Sequence, residues 1–205
     1  MMKLYWSPRS PYARKVMVFA HETGLVGRIE TVKTLVSMTS PNRDLMKLNP
    51  LAKIPTLVAD DGMVLFDSGV ICEYLDGLHD GEKLFPADPA RRWPALRWHA
   101  LGNNMLDNLV PWRNERLRPP PQQSPETLAG YELKVRTALA FLDQEAAALG
   151  RSPVSIGHVV IAVALGYLDF RFADFEWRKG NGKIAAWYES FSQRPSIRNT
   201  MPVDA

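Results

Sequence analysis

The chain has 205 residues, of which 46% are hydrophobic and 23% charged, enough to bury a core in one large domain or two small ones. The formal net charge of +3 is mild, so neither nucleic acid nor another large polyanion is expected as a partner. The longest apolar run, VVIAVALGYL (159–168), is too short to cross a bilayer and predicts a helix buried at the centre of a bundle.

The first eighty residues predict alternating strands and helices. The predicted strands are KLYW (3–6), RIETVKTL (28–35) and the two arms of a hairpin around Asp61-Gly62 within TLVADDGMVLF (56–66). The predicted helices are the stretch from Pro11 to Gly24, NRDLMKLN (42–49), and DSGVICEYLDGL (67–78), whose apolar face includes Val70, Ile71 and Leu75. The order is βαβαββα, with the first two strands parallel.

The remainder predicts helices only, over 88–118, 124–149, 155–173 and 181–192, with a short one after Pro195. A polar stretch with Gly81 and two prolines separates the two halves. We therefore expect an α/β domain over 1–79, a linker over 80–88 and an all-helical domain over 89–205.

Cellular context follows from the cysteine content and the N-terminus. A single cysteine, Cys72, excludes an internal disulfide and favours a reducing compartment. It lies in GVICEYL among apolar residues, which favours a packing role over a reactive thiol. The N-terminus lacks the apolar segment of a signal peptide, so we expect a cytoplasmic protein without a membrane segment.

Ser10 is the first candidate for chemistry. It follows the first strand and directly precedes Pro11, which suits the first turn of a helix. Free N–H groups and the helix dipole favour an anion at such a position. A simple helix cap is the alternative explanation. Ser7, one turn earlier, is a weaker candidate of the same kind.

Two further positions suggest a bound peptide. Pro55 stands at the start of a predicted strand, where proline is tolerated. A cis bond there would turn the backbone of Ile54 outward, able to pair with a peptide-like ligand. Asp67 and Ser68 open the third helix, where Ser68 either caps the helix or helps to hold a carboxylate while Asp67 faces an ammonium group.

The sequence contains no motif for a metal ion, a nucleotide cofactor or a serine nucleophile of the hydrolase type. The four histidines have no ligand-like spacing with one another or with Cys72, so no metal is expected. There is no phosphate loop, no GxGxxG after a strand and no GxSxG nucleophile elbow.

Four segments together resemble the glutathione transferase family, in its bacterial serine-type form. SPYARKV (10–16) resembles the family's Ser-Pro-Phe-x-Arg segment, and NPLAKIPTL (49–57) its Asn-Pro-x-x-Lys-Val-Pro-x-Leu segment. DSGVICEYL (67–75) resembles Glu-Ser-x-x-Ile-x-x-Tyr-Leu, and SPVSIGHVVIAVALGYLDFRF (152–172) resembles the buried helix. The resemblance implies a thioredoxin-like domain that binds glutathione, a helical domain that supplies the electrophile pocket, and a homodimer.

The resemblance also assigns residues, one by one. It implies that Ser10 carries the catalytic hydroxyl. The glutathione-binding residues that it implies are Ser10, Lys53, Ile54, Pro55, Asp67 and Ser68. Ile54 would pair with the cysteinyl part, Lys53 with the glycine carboxylate, and Asp67 with Ser68 at the γ-glutamyl end. Aspartate at 67 instead of the commoner glutamate shortens the reach. The electrophile-pocket candidates are Tyr12, Met105, Asn108 and Trp112, although a Met and aromatic stripe at helical spacing equally predicts core.

The implied activity is attack of a glutathione thiolate on a small hydrophobic electrophile, which is detoxification chemistry. One alternative is a glutathione-dependent disulfide reductase, peroxidase or isomerase, disfavoured by the lack of a cysteine near position 10. Another is a non-catalytic protein-binding member, disfavoured by the intact set Ser10, Pro55 and Asp67-Ser68.

One position departs from the family pattern. Relatives usually have Ser/Thr-x-x-Asp at the start of the buried helix, whereas this chain has Ser155 followed three residues later by His158. A neutral imidazole is expected to cap poorly and a protonated one to oppose the dipole, at a cost of about 1 kcal/mol. Aspartate at 158 is therefore expected to raise the melting temperature.

Overall fold

The computed structural model describes residues 1–204, which form two compact units. One comprises Met1–Phe85 together with the C-terminal segment that begins at Pro195, and the other comprises Pro86–Arg194. The sequence predicts that the C-terminal segment belongs to the helical domain, whereas in the structure this segment belongs to the first unit.

The first unit is built on a four-stranded sheet in the order β2-β1-β3-β4. The strands are β1 (Met2–Trp6), β2 (Ile29–Lys33), β3 (Thr56–Val58) and β4 (Val64–Leu65). The helices are α1 (Pro11–Glu22), α2 (Arg43–Met46) and α3 (Ser68–Asp76). β1 and β2 are parallel, and β3 is antiparallel to both β1 and β4, which confirms the predicted βαβαββα order.

The second unit contains four long helices. They are α4 (Pro89–Arg116), α5 (Pro125–Arg151), α6 (Ile156–Arg171) and α7 (Gly182–Phe191). Residues 156–168 of α6 are all buried, which confirms the predicted central helix. Two glycines, Gly102 on α4 and Gly157 on α6, permit these two helices to approach closely. A Cβ at Gly102 would lie 2.7 Å from Val160, and one at Gly157 would lie 2.8 Å from the Ala95 carbonyl oxygen.

The final helix, α8 (Pro195–Arg198), packs on α1 within the first unit. None of the helices in residues 1–204 combines the length and the apolar character required to cross a bilayer.

The buried face of α3 differs from the predicted one at Val70. Ile71, Cys72 and Leu75 are buried, but Val70 is 47% exposed, so its assignment to the buried face is wrong. Burial raises the pKa of the Cys72 thiol to about 12, because the thiolate would lose its hydration. The packing role expected for Cys72 is confirmed, and the thiol is too basic to serve as a nucleophile near neutral pH.

The start of α6 overturns one expectation. The Nδ1 atom of His158 accepts a hydrogen bond from the Ser155 amide at 3.1 Å, as the side chain of an aspartate at this position would. The Ser155 hydroxyl lies 2.9 Å from the same nitrogen. On the opposite side of the ring, Nε2 lies 3.1 Å from the Leu149 carbonyl oxygen in the last turn of α5. A neutral ring with its proton on Nε2 satisfies all three contacts, so the prediction of poor capping is wrong.

Candidate functional site

The strand register determines which loops of the first unit lie together. Tyr5 of β1 is opposite Thr56 of β3, and Leu57 of β3 is opposite Leu65 of β4. Because both pairs are antiparallel, the C-terminal ends of β1 and β4 lie at the same edge of the sheet as the N-terminal end of β3. The three segments that the sequence analysis singles out all adjoin this edge.

Each of these segments contributes one part of the candidate site. Ser10 follows β1, Ile54 and Pro55 precede β3, and Asp67 follows β4. Adjacent strands are spaced by about 4.8 Å, so three neighbouring strands span about 10 Å. An extended tripeptide has the same length, at about 3.3–3.6 Å per residue. The edge therefore has the dimensions to hold an extended tripeptide across three strands.

Ser10 is the N-cap of α1, as the simpler interpretation predicts. Its Oγ accepts a hydrogen bond from the Ala13 amide at 3.3 Å, and its own amide donates to the Ser7 carbonyl oxygen at 3.0 Å. Ser7 is buried and its hydroxyl accepts from the Arg9 amide at 3.4 Å, so it shapes the turn before the helix. The Ser10 side chain is only half-buried, and accepting the cap bond does not use its proton. The hydroxyl can therefore cap the helix and still donate to an anion.

The Ile54-Pro55 peptide bond is cis, as the resemblance implies. Ile54 and Pro55 are both buried, whereas the Lys53 side chain is exposed. Within residues 1–204, neither the amide nor the carbonyl group of Ile54 has a backbone hydrogen-bond partner. This leaves the main chain of Ile54 available to pair with another peptide backbone.

Asn49 holds this loop in place, a role that the sequence analysis did not assign. Its buried Nδ2 donates to the Lys53 carbonyl oxygen and to Thr56 Oγ1, each at 3.1 Å. Its Oδ1 accepts from the Leu51 amide at 3.1 Å, and Thr56 Oγ1 itself donates to the Lys53 carbonyl oxygen at 2.8 Å. The asparagine at the start of NPLAKIPTL was the available signal, since a buried amide so placed can organise a turn.

Asp67, and not Ser68, is the N-cap of α3. Asp67 Oδ1 accepts from the amides of Gly69 and Val70, at 2.9 and 3.4 Å. Oδ2 has no hydrogen-bond partner among the described residues, and the side chain is exposed. Ser68 is buried as the first residue of the helix, so its interpretation as a cap is corrected. One carboxylate oxygen thus caps the helix while the other can accept from a ligand.

The four candidates for an electrophile pocket have different surroundings. Tyr12, in the first turn of α1, and Asn108, on α4, are both half-buried. Met105 and Trp112 are only 3% and 4% exposed, and the Trp112 ring lies 4.7 Å from that of Phe172 in the helical unit. This environment favours the core explanation for Met105 and Trp112.

The comparisons with known proteins agree with one another. Residues 9–78 match the glutathione S-transferase N-terminal domain, and residues 125–190 match the glutathione S-transferase C-terminal domain. The chain is 44% identical to a glutathione transferase family member from Pseudomonas fluorescens Pf-5 crystallised with bound glutathione, covering 99% of this chain and 100% of that one, with a TM-score of 0.95.

A second structure of a family member from the same organism contains S-(propanoic acid)-glutathione, at 43% identity, coverage of 99% and 100%, and a TM-score of 0.92. The uncharacterized GST-like protein YibF of Escherichia coli K12 is 29% identical over the full length of both chains. The protein described here is a member of the glutathione transferase family, with a thioredoxin-like N-terminal domain and a helical C-terminal domain.

Proposed function

We propose that this protein is a glutathione transferase in which Ser10 stabilises the glutathione thiolate for attack on small hydrophobic electrophiles. The main supporting observation is that Ser10, the unpaired backbone of Ile54 and the open oxygen of Asp67 adjoin one edge of the sheet, on three successive strands. Their spacing matches the length of an extended tripeptide.

The bound peptide would use one group from each segment. The cysteinyl backbone pairs with Ile54 next to the cis-proline Pro55, and the γ-glutamyl ammonium contacts Asp67. The γ-glutamyl carboxylate is held at the start of α3 by Ser68, where free amides favour an anion. The exposed Lys53 is available for the glycine carboxylate.

Ser10 lowers the pKa of the glutathione thiol by donating a hydrogen bond to the thiolate. An unperturbed thiol has a pKa of about 8.5, so only a few per cent is thiolate at pH 7. Lowering that pKa by about two units requires about 2.7 kcal/mol of preferential stabilisation of the anion. A hydrogen bond to a charged group contributes about 1.5–3 kcal/mol and the helix dipole about 0.3–1 kcal/mol, which together suffice. The thiol releases its proton to solvent, and a lone pair of the sulfur then forms the bond to the electrophilic carbon. In substitution the leaving group departs with the electron pair of its bond to that carbon, and in addition the π bond breaks and the neighbouring atom takes up a proton from solvent.

The relatives support both the binding of glutathione and the attachment of a group to its sulfur. The Pseudomonas fluorescens family members were crystallised with glutathione and with a glutathione that carries a propanoic acid group on sulfur. A site that accepts the S-substituted form has room for a group beyond the thiol. Tyr12, half-buried in the first turn of α1, is our first choice among the candidate lining residues in the first unit.

Ultraviolet difference spectroscopy tests the proposal. Adding glutathione to the protein at pH 6.5–7 should produce the thiolate absorption band, because the bound thiol ionises below its ordinary pKa. S-methylglutathione, which has no ionisable thiol, is the control and should bind without the band. Glutathione binding by calorimetry with no thiolate band would contradict the proposed mechanism and favour a protein-binding role.

Disulfide exchange through the protein's own cysteine is not favoured. Cys72 is buried, and its raised pKa of about 12 makes it a poor nucleophile. Conjugation by the Cys72→Ala variant should therefore equal that of the wild type, as measured by kcat/KM with a chromogenic aryl halide. A large loss of conjugation in this variant without loss of folding would contradict the passive role of Cys72.

The proposal includes a cytoplasmic homodimer. Phe66, which precedes α3, and Val70, in the first turn of α3, are large exposed apolar side chains of the first unit, and so is Trp93 near the start of α4 in the second unit. Dimers of this family usually meet at the third and fourth helices. Light scattering after size exclusion measures the mass directly, and a monomeric mass at micromolar concentration would contradict this part. The single cysteine is consistent with a reducing compartment.

A further inference from the structure

The second turn of α1 carries two cationic side chains that are almost inaccessible to water. Arg14 is 4% exposed and Lys15 is 0% exposed. Such residues are seldom fully buried, because removing a charge from water is costly unless partners compensate for it. A buried arginine close to a candidate catalytic residue therefore calls for a structural or functional explanation.

The C-terminal segment supplies partners for Arg14. Arg14 Nη2 donates to the Ile197 carbonyl oxygen at 3.4 Å and lies 3.6 Å from Met201 Sδ. At the other end of α1, the Ser196 hydroxyl donates to the Glu22 carboxylate. We refer to residues 196–201 as the C-terminal clamp, since they contact α1 near both of its ends.

Arg14 is also connected to Ser10. Its amide donates to the Ser10 carbonyl oxygen at 2.9 Å, the first hydrogen bond of the helix. Residues four apart lie on the same face of a helix, and helical side chains lean toward the N-terminus, so Arg14 lies along the face that begins at Ser10. The side-chain cap bond from Ala13 to Ser10 is long, at 3.3 Å, and the bond from Arg14 to the Ile197 carbonyl oxygen is also long, at 3.4 Å, so neither bond fixes the Ser10 turn alone. Arg14 adds a second anchor, which is buried, one turn further along the helix.

We propose that Arg14 is a positioning residue, which ties α1 to the C-terminal clamp and so keeps the Ser10 hydroxyl aligned with the glutathione sulfur. The inference rests on the proposed function of Ser10 but concerns a different residue and a different part of the chain. It assigns to the clamp a role in thiolate stabilisation. Arg14 does not contact the substrate in this proposal, because it acts only through the helix.

The test compares Arg14→Met with Arg9→Met. Both variants remove one positive charge next to Ser10, but Arg9 is exposed, and among residues 1–204 it makes no hydrogen bond to the C-terminal clamp. Arg14→Met should raise the pKa of the bound glutathione thiol by about one unit, from about 6.5 to about 7.5, which lowers the thiolate fraction and kcat at pH 6.5 roughly fivefold. The KM for glutathione should change less than twofold, because residues 53–55 and 67–68 are untouched. Arg9→Met should behave as wild type, since exposed charges are screened.

Two further variants guard against loss of folding. Arg14→Lys keeps the positive charge and should recover part of the thiolate. Met201→Ala, at a position that is 55% exposed, removes only the sulfur contact and should cause a smaller shift in the same direction. Amide hydrogen exchange over residues 11–16 should accelerate in Arg14→Met, independently of glutathione.

The outcomes separate this inference from the proposed function. Faster exchange together with a higher thiol pKa in Arg14→Met supports it. Unchanged exchange, or faster exchange with a wild-type thiol pKa, overturns it while leaving the function of Ser10 intact. Absence of a thiolate band in the wild type overturns the proposed function, and with it this inference.

Discussion

Ser10 and Ser155 both stand at the start of a helix, yet their surroundings differ. The Ser10 side chain is half-buried and accepts one long hydrogen bond from the Ala13 amide. Ser155 is buried, and both its amide and its hydroxyl contact the His158 ring. A hydroxyl with an unused proton at an accessible helix end can serve a ligand, whereas one enclosed by protein partners contributes to stability alone.

Removing the two hydroxyls should have opposite consequences, and this is the largest effect expected. Ser10→Ala should lower kcat/KM for conjugation at pH 6.5 by about 50-fold, as expected if the thiol pKa returns from about 6.5 to about 8.5, and cost only about 1 kcal/mol of stability. Ser155→Ala should cost about 1–3 kcal/mol of unfolding free energy but leave kcat/KM per folded molecule unchanged. Steady-state kinetics and denaturant titrations measure both quantities. A similar loss of activity in the two variants would refute the contrast.

His158→Asp tests whether the enclosed cap depends on the imidazole. An aspartate can accept from the Ser155 amide but cannot donate to the Leu149 carbonyl oxygen, which would lose its imidazole donor. We expect destabilisation of about 1–2 kcal/mol, or roughly 2–8 °C in Tm for a chain of this size. This reverses the expectation from sequence. A higher Tm by calorimetry would restore the original view that aspartate caps better.

The pH dependence of stability provides the last test of this comparison. Burial is the main cause of the lowered pKa of His158, the positive charge of Arg194 contributes in the same direction, and the Leu149 carbonyl oxygen opposes it. Below the ordinary value of about 6.5 the unfolded chain binds a proton that the folded chain does not, so stability should fall as pH decreases. The slope should approach about 1.4 kcal/mol per pH unit until the folded pKa is reached.

His158→Asn is the control for this slope, because an amide accepts from the Ser155 amide and does not titrate. Urea titrations between pH 5 and 7.5 should show a smaller pH dependence in the variant than in the wild type. Identical slopes in the two proteins would place the titrating group elsewhere.

Local patterns predicted most of the fold and the main features of the site. The apolar run at 159–168 and the Ser10-Pro11 pair identify a buried helix and a helix start, and both are confirmed. The predicted burial of Val70 was wrong because, in a helix of nine residues, the apolar positions are compatible with more than one orientation of the buried face. The cap of α3 is Asp67 and not Ser68, since adjacent cap-forming residues differ by one position that sequence spacing does not resolve.

Contacts between distant residues were not predictable from sequence. The Nε2 atom of His158 bonds a carbonyl oxygen nine residues away across a helix connection, and this contact determines whether the imidazole is an adequate cap. Asn49 gains its role only when Lys53 and Thr56 fold back on it. The placement of the segment after Pro195 on α1 depends on contacts nearly the whole chain apart.

That last placement bears on the order of events during synthesis. A growing chain that has emerged from the ribosome only as far as Phe85 has every strand of the sheet but lacks Ile197 and Met201 beside Arg14. The unit made first therefore reaches its finished form last, after translation has passed through all of the intervening helices.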